Sequence, residues 1–151
     1  KKIWCENRDG SRHEPILLKN RNLQDMTLVT SKNHGNKILK NLIQKINFRK
    51  VEIMGSIGCK IASIVRGDSD IYICLSLPGK SSPKDWDFAA PESILKAAGG
   101  AITNLDNKVL TYGQTGFQQG GVIVATSNKE THAGICLEIK KIIEDNGIYS
   151  L

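Results

Sequence analysis

Over residues 1–26 apolar positions follow no regular period; Asn and Arg are frequent and Asp9-Gly10 marks a turn. This stretch reads as a strand end, a turn and a connector. Regular patterning begins at Thr27-Leu28-Val29-Thr30, a short run expected to form a buried strand. Ser31 to Asn33 offer helix caps. Ile38, Leu39, Leu42, Ile43 and Ile46 recur at helical spacing, with Lys37, Lys40 and Lys45 on the other face. Val51 to Met54 predicts a second strand. Gly55-Ser56-Ile57-Gly58 opens a helix that carries Ile57, Ile61, Ile64 and Val65 and stops at Gly67. Asp70 to Leu77 reads as a third strand, with Ile71, Ile73 and Leu75 on one face.

Beyond a loop from Pro78 to Pro83, a helix starts at Trp86 or Ala90, runs to Ala98 and ends at Gly99-Gly100. Pro91 is expected in its first turn, where a missing N–H is tolerated. Ala101 to Thr103 and Gly121 to Ala125 read as strands, with a turn at Asp106-Asn107 between them. Ser127-Asn128-Lys129-Glu130 reads as a capping box opening a last helix that carries Ile135, Leu137, Ile139, Ile142 and Ile143. The order β-α-β-α-β-α-β-β-α predicts the α/β class, a layered sheet covered by helices.

Composition narrows the function classes. The 151 residues are 40% hydrophobic and 24% charged, as in a chain that buries a core. No apolar stretch approaches the ~20 residues of a membrane span. A formal charge of +6 favours an anionic partner. The basic residues form no run, and aromatic content is 5%, which argues against nucleic-acid binding. Cys5, Cys59, Cys74 and Cys136 stand far apart without CxxC spacing, which argues against structural zinc and for reduced thiols in a cytoplasmic protein. Arg66-Gly67-Asp68 reads as a helix-end turn.

Three strand-to-helix junctions gather polar groups where helix N-termini favour anions: Thr30 to His34, Gly55 to Lys60, and Lys84 to Glu92. Each also has a plain reading. Ser31, Asn33 and Ser56 serve as ordinary caps, a lysine such as Lys60 is usually solvated, and Asp85 and Asp87 complement a helix dipole. The third junction adds a carboxylate placed to hold a hard cation that shares a phosphate oxygen. Trp86 reads as a core tryptophan or as a wall that fixes the Asp87 rotamer.

Lys84-Asp85-Trp86-Asp87-Phe88-Ala89-Ala90-Pro91-Glu92 and the stretch to Gly99-Gly100 resemble the C-terminal signature of the inositol monophosphatase superfamily. Gly55 to Lys60 followed by Gly67 to Tyr72, Asp106 to Tyr112, and Gly120 to Ala125 resemble further motifs of that superfamily. Ser31-x-x-His34, Lys60 and Ala-Ala-Pro-Glu point within it to the 3′(2′),5′-bisphosphate nucleotidases. The resemblance implies Mg²⁺-dependent hydrolysis of a phosphate monoester, with adenosine 3′,5′-bisphosphate as substrate. It implies Asp87 as catalytic metal ligand, and Ser31, His34, Ser56 and Lys60 as substrate-binding residues.

The chain departs from the superfamily pattern in three ways. It contains no Asp-Pro-x-Asp-Gly-Thr, the segment that supplies most metal ligands. Cys74 stands where many bisphosphate nucleotidases carry arginine, and Ile57 where some carry serine. Residues 1–26 are therefore expected to be the end of an N-terminal domain and a connector, and 27–151 a C-terminal α/β domain. The expected partners are a nucleotide bisphosphate and the missing N-terminal domain, with room for a homodimer and with no nucleic acid or membrane. An inositol-phosphate or fructose-bisphosphate phosphatase is the alternative within the superfamily. A non-catalytic nucleotide-binding module is the alternative outside it.

Overall fold

The computed structural model describes residues 3–15, 22–31, 37–77 and 82–148. A two-stranded antiparallel ribbon, β1 (Cys5–Glu6) and β2 (Arg12–His13), comes first. Then follow β3 (Thr27–Ser31), α1 (Lys37–Ile46), β4 (Lys50–Met54), α2 (Ile57–Arg66), β5 (Ile71–Ser76), α3 (Asp85–Ala97), β6 (Ala101–Asn104), β7 (Gly121–Thr126) and α4 (Lys129–Asp145). The last five strands form one sheet in the order β4-β3-β5-β7-β6. β3 runs parallel to β4 and β5, whereas β7 is antiparallel to β5 and β6. β3, β4, β5 and β6 thus share a direction, and their C-terminal ends meet along one edge.

Side-chain alternation divides the core. Ile71 and Ile73 of β5 pack with Leu28, Leu42, Val124 and Ile139 on one face. Tyr72 and Cys74 pack with Ile61, Ile64, Phe88 and Leu95 on the other. α1 and α4 cover the first face, and α2 and α3 the second. This is the α/β, helix-covered sheet that the patterning predicts. Ile3 and Cys5, at the ribbon, pack on the second core. No helix among the described residues is long and apolar enough to cross a membrane.

Three local expectations are corrected. α3 starts at Asp85, so Pro91 sits in its second turn. The start is set by Asp87, whose carboxylate accepts from the Lys84 N–H at 2.8 Å while its own N–H meets the Lys84 carbonyl at 2.9 Å. Ser31 ends β3, and the other caps expected for α1, Lys32 and Asn33, lie outside the described residues. α4 is capped by Asn128 rather than Ser127, through a 2.9 Å bond from the Glu130 N–H to Asn128 Oδ1. Leu137 is exposed, because two residues along a helix turn it about 200° from Ile135 and Ile139.

Gly99-Gly100 does end α3, and each glycine has its own reason. Gly99 takes a left-handed φ of +93°. At Gly100 a Cβ would stand 2.5 Å from the Thr126 carbonyl oxygen and 2.6 Å from Leu95 Cδ1. Gly100→Ala is therefore expected to cost about 2 kcal/mol or more, read as a lower urea midpoint.

His132 of α4 is buried between two threonines, with Nε2 at 2.8 Å from Thr103 Oγ1 and Nδ1 at 2.8 Å from Thr126 Oγ1. Thr103 Oγ1 donates to the Asn104 carbonyl at 2.7 Å, so it accepts from an Nε2–H. A neutral ring is satisfied there, and burial brings its pKa from 6.5 down to about 4. As pH falls the unfolded chain takes up the proton first. Stability is complete above about pH 6.5 and falls between pH 6.5 and 4, by about 3 kcal/mol at most. Denaturation curves across this range should show that slope, and His132→Gln should flatten it.

Candidate active site

Ser31, Ser56, Lys60 and Asp87 line one open cleft of about 460 Å³ at the C-terminal edge of the parallel strands. A crevice at that edge is the usual ligand site of an α/β sheet. His34, the fifth position singled out, lies outside the described residues. Ser31 comes from the end of β3, Ser56 and Lys60 from the start of α2, and Asp87 from the start of α3.

Ser56 is the cap of α2, as its plain reading holds, and accepts from the Cys59 N–H at 3.1 Å. The cap leaves the Ile57 and Gly58 N–H groups at the helix start without a partner among the described residues. Lys60 contradicts its plain reading. It is 1% exposed, with Nζ donating to the Gly55 carbonyl at 2.7 Å and lying 5.5 Å from the centre of the Tyr72 ring. No carboxylate of the described residues lies in salt-bridge range of it. Burial pulls its pKa below the ordinary lysine range. The neighbouring Cys74 thiol is pushed up by burial and stays neutral.

Asp87 has one carboxylate oxygen, Oδ2, on the Lys84 N–H, which leaves Oδ1 as a hard donor at the cleft. The other two acids of α3 do different work. Asp85 and Glu92 are seven residues apart, hence on one side of the helix, and both are buried. Asp85 accepts from the Gly113 N–H and from Gln119 Nε2, each at 2.6 Å. Glu92 accepts from the Tyr112 hydroxyl and pairs with Lys96. Lys84 Nζ adds a 3.0 Å bond to the Gly116 carbonyl. These bonds strap residues 111–119 to the start of α3. Two residues from Asp85, Asp87 is turned about 200° away from the strap, toward the cleft. Trp86 is neither core nor wall: it is 66% exposed and packs on Phe117, with ring centres 6.1 Å apart.

Among the described residues, no three His, Cys, Asp or Glu side chains come together as a metal site. One carboxylate with a spare oxygen suits a magnesium ion that takes its remaining ligands from phosphate, water and other acids. Sequence reasoning missed Tyr72, Ser76, Asp85 and Gln119. The period of β5 could have found two of them, because Tyr72, Cys74 and Ser76 alternate with Ile71, Ile73 and Leu75.

The inositol monophosphatase family model matches residues 3–144. The chain belongs to this family. Its curated relatives include the rat 3′(2′),5′-bisphosphate nucleotidase 1, 33% identical over 108 residues that make up 70% of this chain and 34% of the relative. The Dictyostelium discoideum 3′(2′),5′-bisphosphate nucleotidase is 28% identical over 87% of this chain and 40% of the relative. Among solved structures, inositol monophosphatase II from Staphylococcus aureus MSSA476 superposes with a TM-score of 0.66 at 20% identity, covering 98% of this chain and 55% of that one. The structure of SaIMPase-II with 2′-AMP bound superposes with a TM-score of 0.60 at 20% identity, covering 93% of this chain and 53% of that one. These superpositions show the fold of the family. The chain spans 34–40% of these curated relatives and about half of the solved chains.

The strap carries its own test. In Asp85→Asn one acceptor oxygen becomes an NH₂ group facing a donor, a loss of about 1–3 kcal/mol. Urea denaturation should show that loss, and amide shifts at Gly113 and Gln119 should move most.

Proposed function

We propose that this chain is the C-terminal part of a magnesium-dependent phosphomonoesterase that acts on 3′(2′),5′-bisphosphate nucleotides such as adenosine 3′,5′-bisphosphate. The observation that carries the reading is the buried Lys60 cation, paired with no acid of the described residues, beside the open start of α2 and across one cleft from Asp87. An ammonium and two helix-start N–H groups suit a phosphate dianion. A volume of about 460 Å³ suits a nucleotide-sized ligand. The curated relatives' names support the nucleotide, and their greater length supports a preceding domain. Residues 27–151 would be the C-terminal domain, and the ribbon within 1–26 the end of the one before it.

The roles follow from position for the described residues. Lys60 and the Ile57 and Gly58 amides hold a phosphate, and Ser31 and Ser56 orient it. The resemblance adds His34, outside the described residues, as a further contact to the nucleotide. Asp87 presents Oδ1 to magnesium, and the strap keeps that oxygen in place. Bound magnesium supplies activation of water and neutralises developing charge. The remaining acidic ligands would come from the preceding domain, so the 151 residues alone should hydrolyse almost nothing.

The test is phosphate release by the complete gene product in Mg²⁺. Adenosine 3′,5′-bisphosphate should react faster than inositol 1-phosphate, and Asp87→Asn should lower turnover by about a hundredfold or more. A reversed substrate order would assign the protein to the inositol branch. Absence of release from either would overturn the phosphatase reading.

A further inference from the structure

The cleft holds a second feature that the family resemblance does not explain, namely what stabilises the Lys60 charge. A fully buried ammonium is costly unless something compensates it. The usual compensation is a carboxylate, and here there is none among the described residues. Lys60 Nζ has one carbonyl, that of Gly55 at 2.7 Å, and the face of Tyr72 with its centre 5.5 Å away. Tyr72 is itself 3% exposed, so this contact is desolvated, the condition in which a cation–π contact is strongest. Its position is well defined, because Tyr72 lies in β5 between β3 and β7, paired with Val29 and Ala125.

An aromatic face and a carboxylate differ in one respect that matters to a ligand. A carboxylate cancels the lysine's charge. A ring attracts the cation through its quadrupole and leaves the net charge at +1. We propose that Tyr72 is a positioning residue that holds Lys60 as a buried, uncancelled cation aimed at a phosphate dianion in the cleft. The inference rests on the reading of the cleft as a phosphate site. Gly55 fixes the direction of one N–H, and the ring keeps the ammonium beside the start of α2. The two remaining N–H donors are then available to the anion.

The same geometry makes the ring, and not the hydroxyl, the active part. Lys60 Nζ lies over the ring, and its hydrogen bond goes to the Gly55 carbonyl and not to the hydroxyl. Tyr72→Phe should therefore keep the function and Tyr72→Leu should lose it.

The probe is inorganic phosphate titrated into the complete gene product at fixed ionic strength. Amide shifts of Ile57 and Gly58 and the Lys60 ε-CH₂ signals follow binding. In the unaltered protein and in Tyr72→Phe, the Lys60 ε protons should be shifted upfield by the ring, and phosphate affinities should agree within about twofold. Tyr72→Leu should bind phosphate roughly tenfold more weakly and lose the upfield shift. A folded Tyr72→Leu variant with unchanged affinity would overturn the role of Tyr72 and leave the cleft reading intact. Absence of any phosphate-dependent shift at Ile57 and Gly58 in the unaltered protein would overturn both. If Tyr72→Leu fails to fold, the ring shift decides: unshifted Lys60 ε protons in the unaltered protein refute the contact.

Discussion

A lysine ammonium buried at the cleft, with no acid of the described residues in salt-bridge range, is the constraint around which the rest of the site is arranged. Such a charge persists only where nearby dipoles and π-density offset its lost hydration. The Gly55 carbonyl and the Tyr72 face supply part of that offset. The start of α2 works in the opposite sense, since its N-terminal dipole is positive. On the proposed reading, Lys60 and the start of α2 together attract an anion to their end of the cleft, opposite Asp87. The parallel arrangement of β3, β4 and β5 brings this about by collecting helix starts and strand ends at one edge.

The second requirement is a carboxylate that faces this cation across the cleft without collapsing onto it. α3 meets it by separating its acids. Asp85 is bonded to the segment 111–119, and Glu92 is shared between Tyr112 of that segment and Lys96, while Asp87 turns the other way. Capping by the Lys84 N–H occupies one oxygen of Asp87 and fixes its rotamer at the start of α3. The expectation that Trp86 fixes that rotamer is replaced by this backbone hydrogen bond.

Most of the fold was legible in the residue pattern, because buried strands and amphipathic helices have distinct periods. The same pattern placed Ser31, Ser56, Lys60 and Asp87 at strand-to-helix junctions, and the sheet brings all four to one cleft. What was not legible depends on contacts between distant segments. The burial of Lys60 follows from the packing of α2 against β5, and nothing local to Gly58-Cys59-Lys60 marks it. The brace from Asp85 to Gly113 and Gln119 spans about thirty residues, with no periodic signal. Pro91 misled for a local reason, since a cap formed by Asp87 outweighs the preference of proline for the first turn.

On the proposed reading Lys60 is kept for a ligand and not for the stability of the fold. Lys60→Met separates the two, because methionine fills nearly the same space without the charge. Removing an uncompensated buried cation in favour of an apolar side chain is neutral or stabilising, less the one hydrogen bond to Gly55. Lys60→Met should show a urea-unfolding free energy within about 1 kcal/mol of the unaltered protein or higher, together with loss of phosphate-dependent amide shifts at Ile57 and Gly58. A Lys60→Met variant that loses several kcal/mol, or that still binds phosphate at those amides, would overturn the ligand role of Lys60.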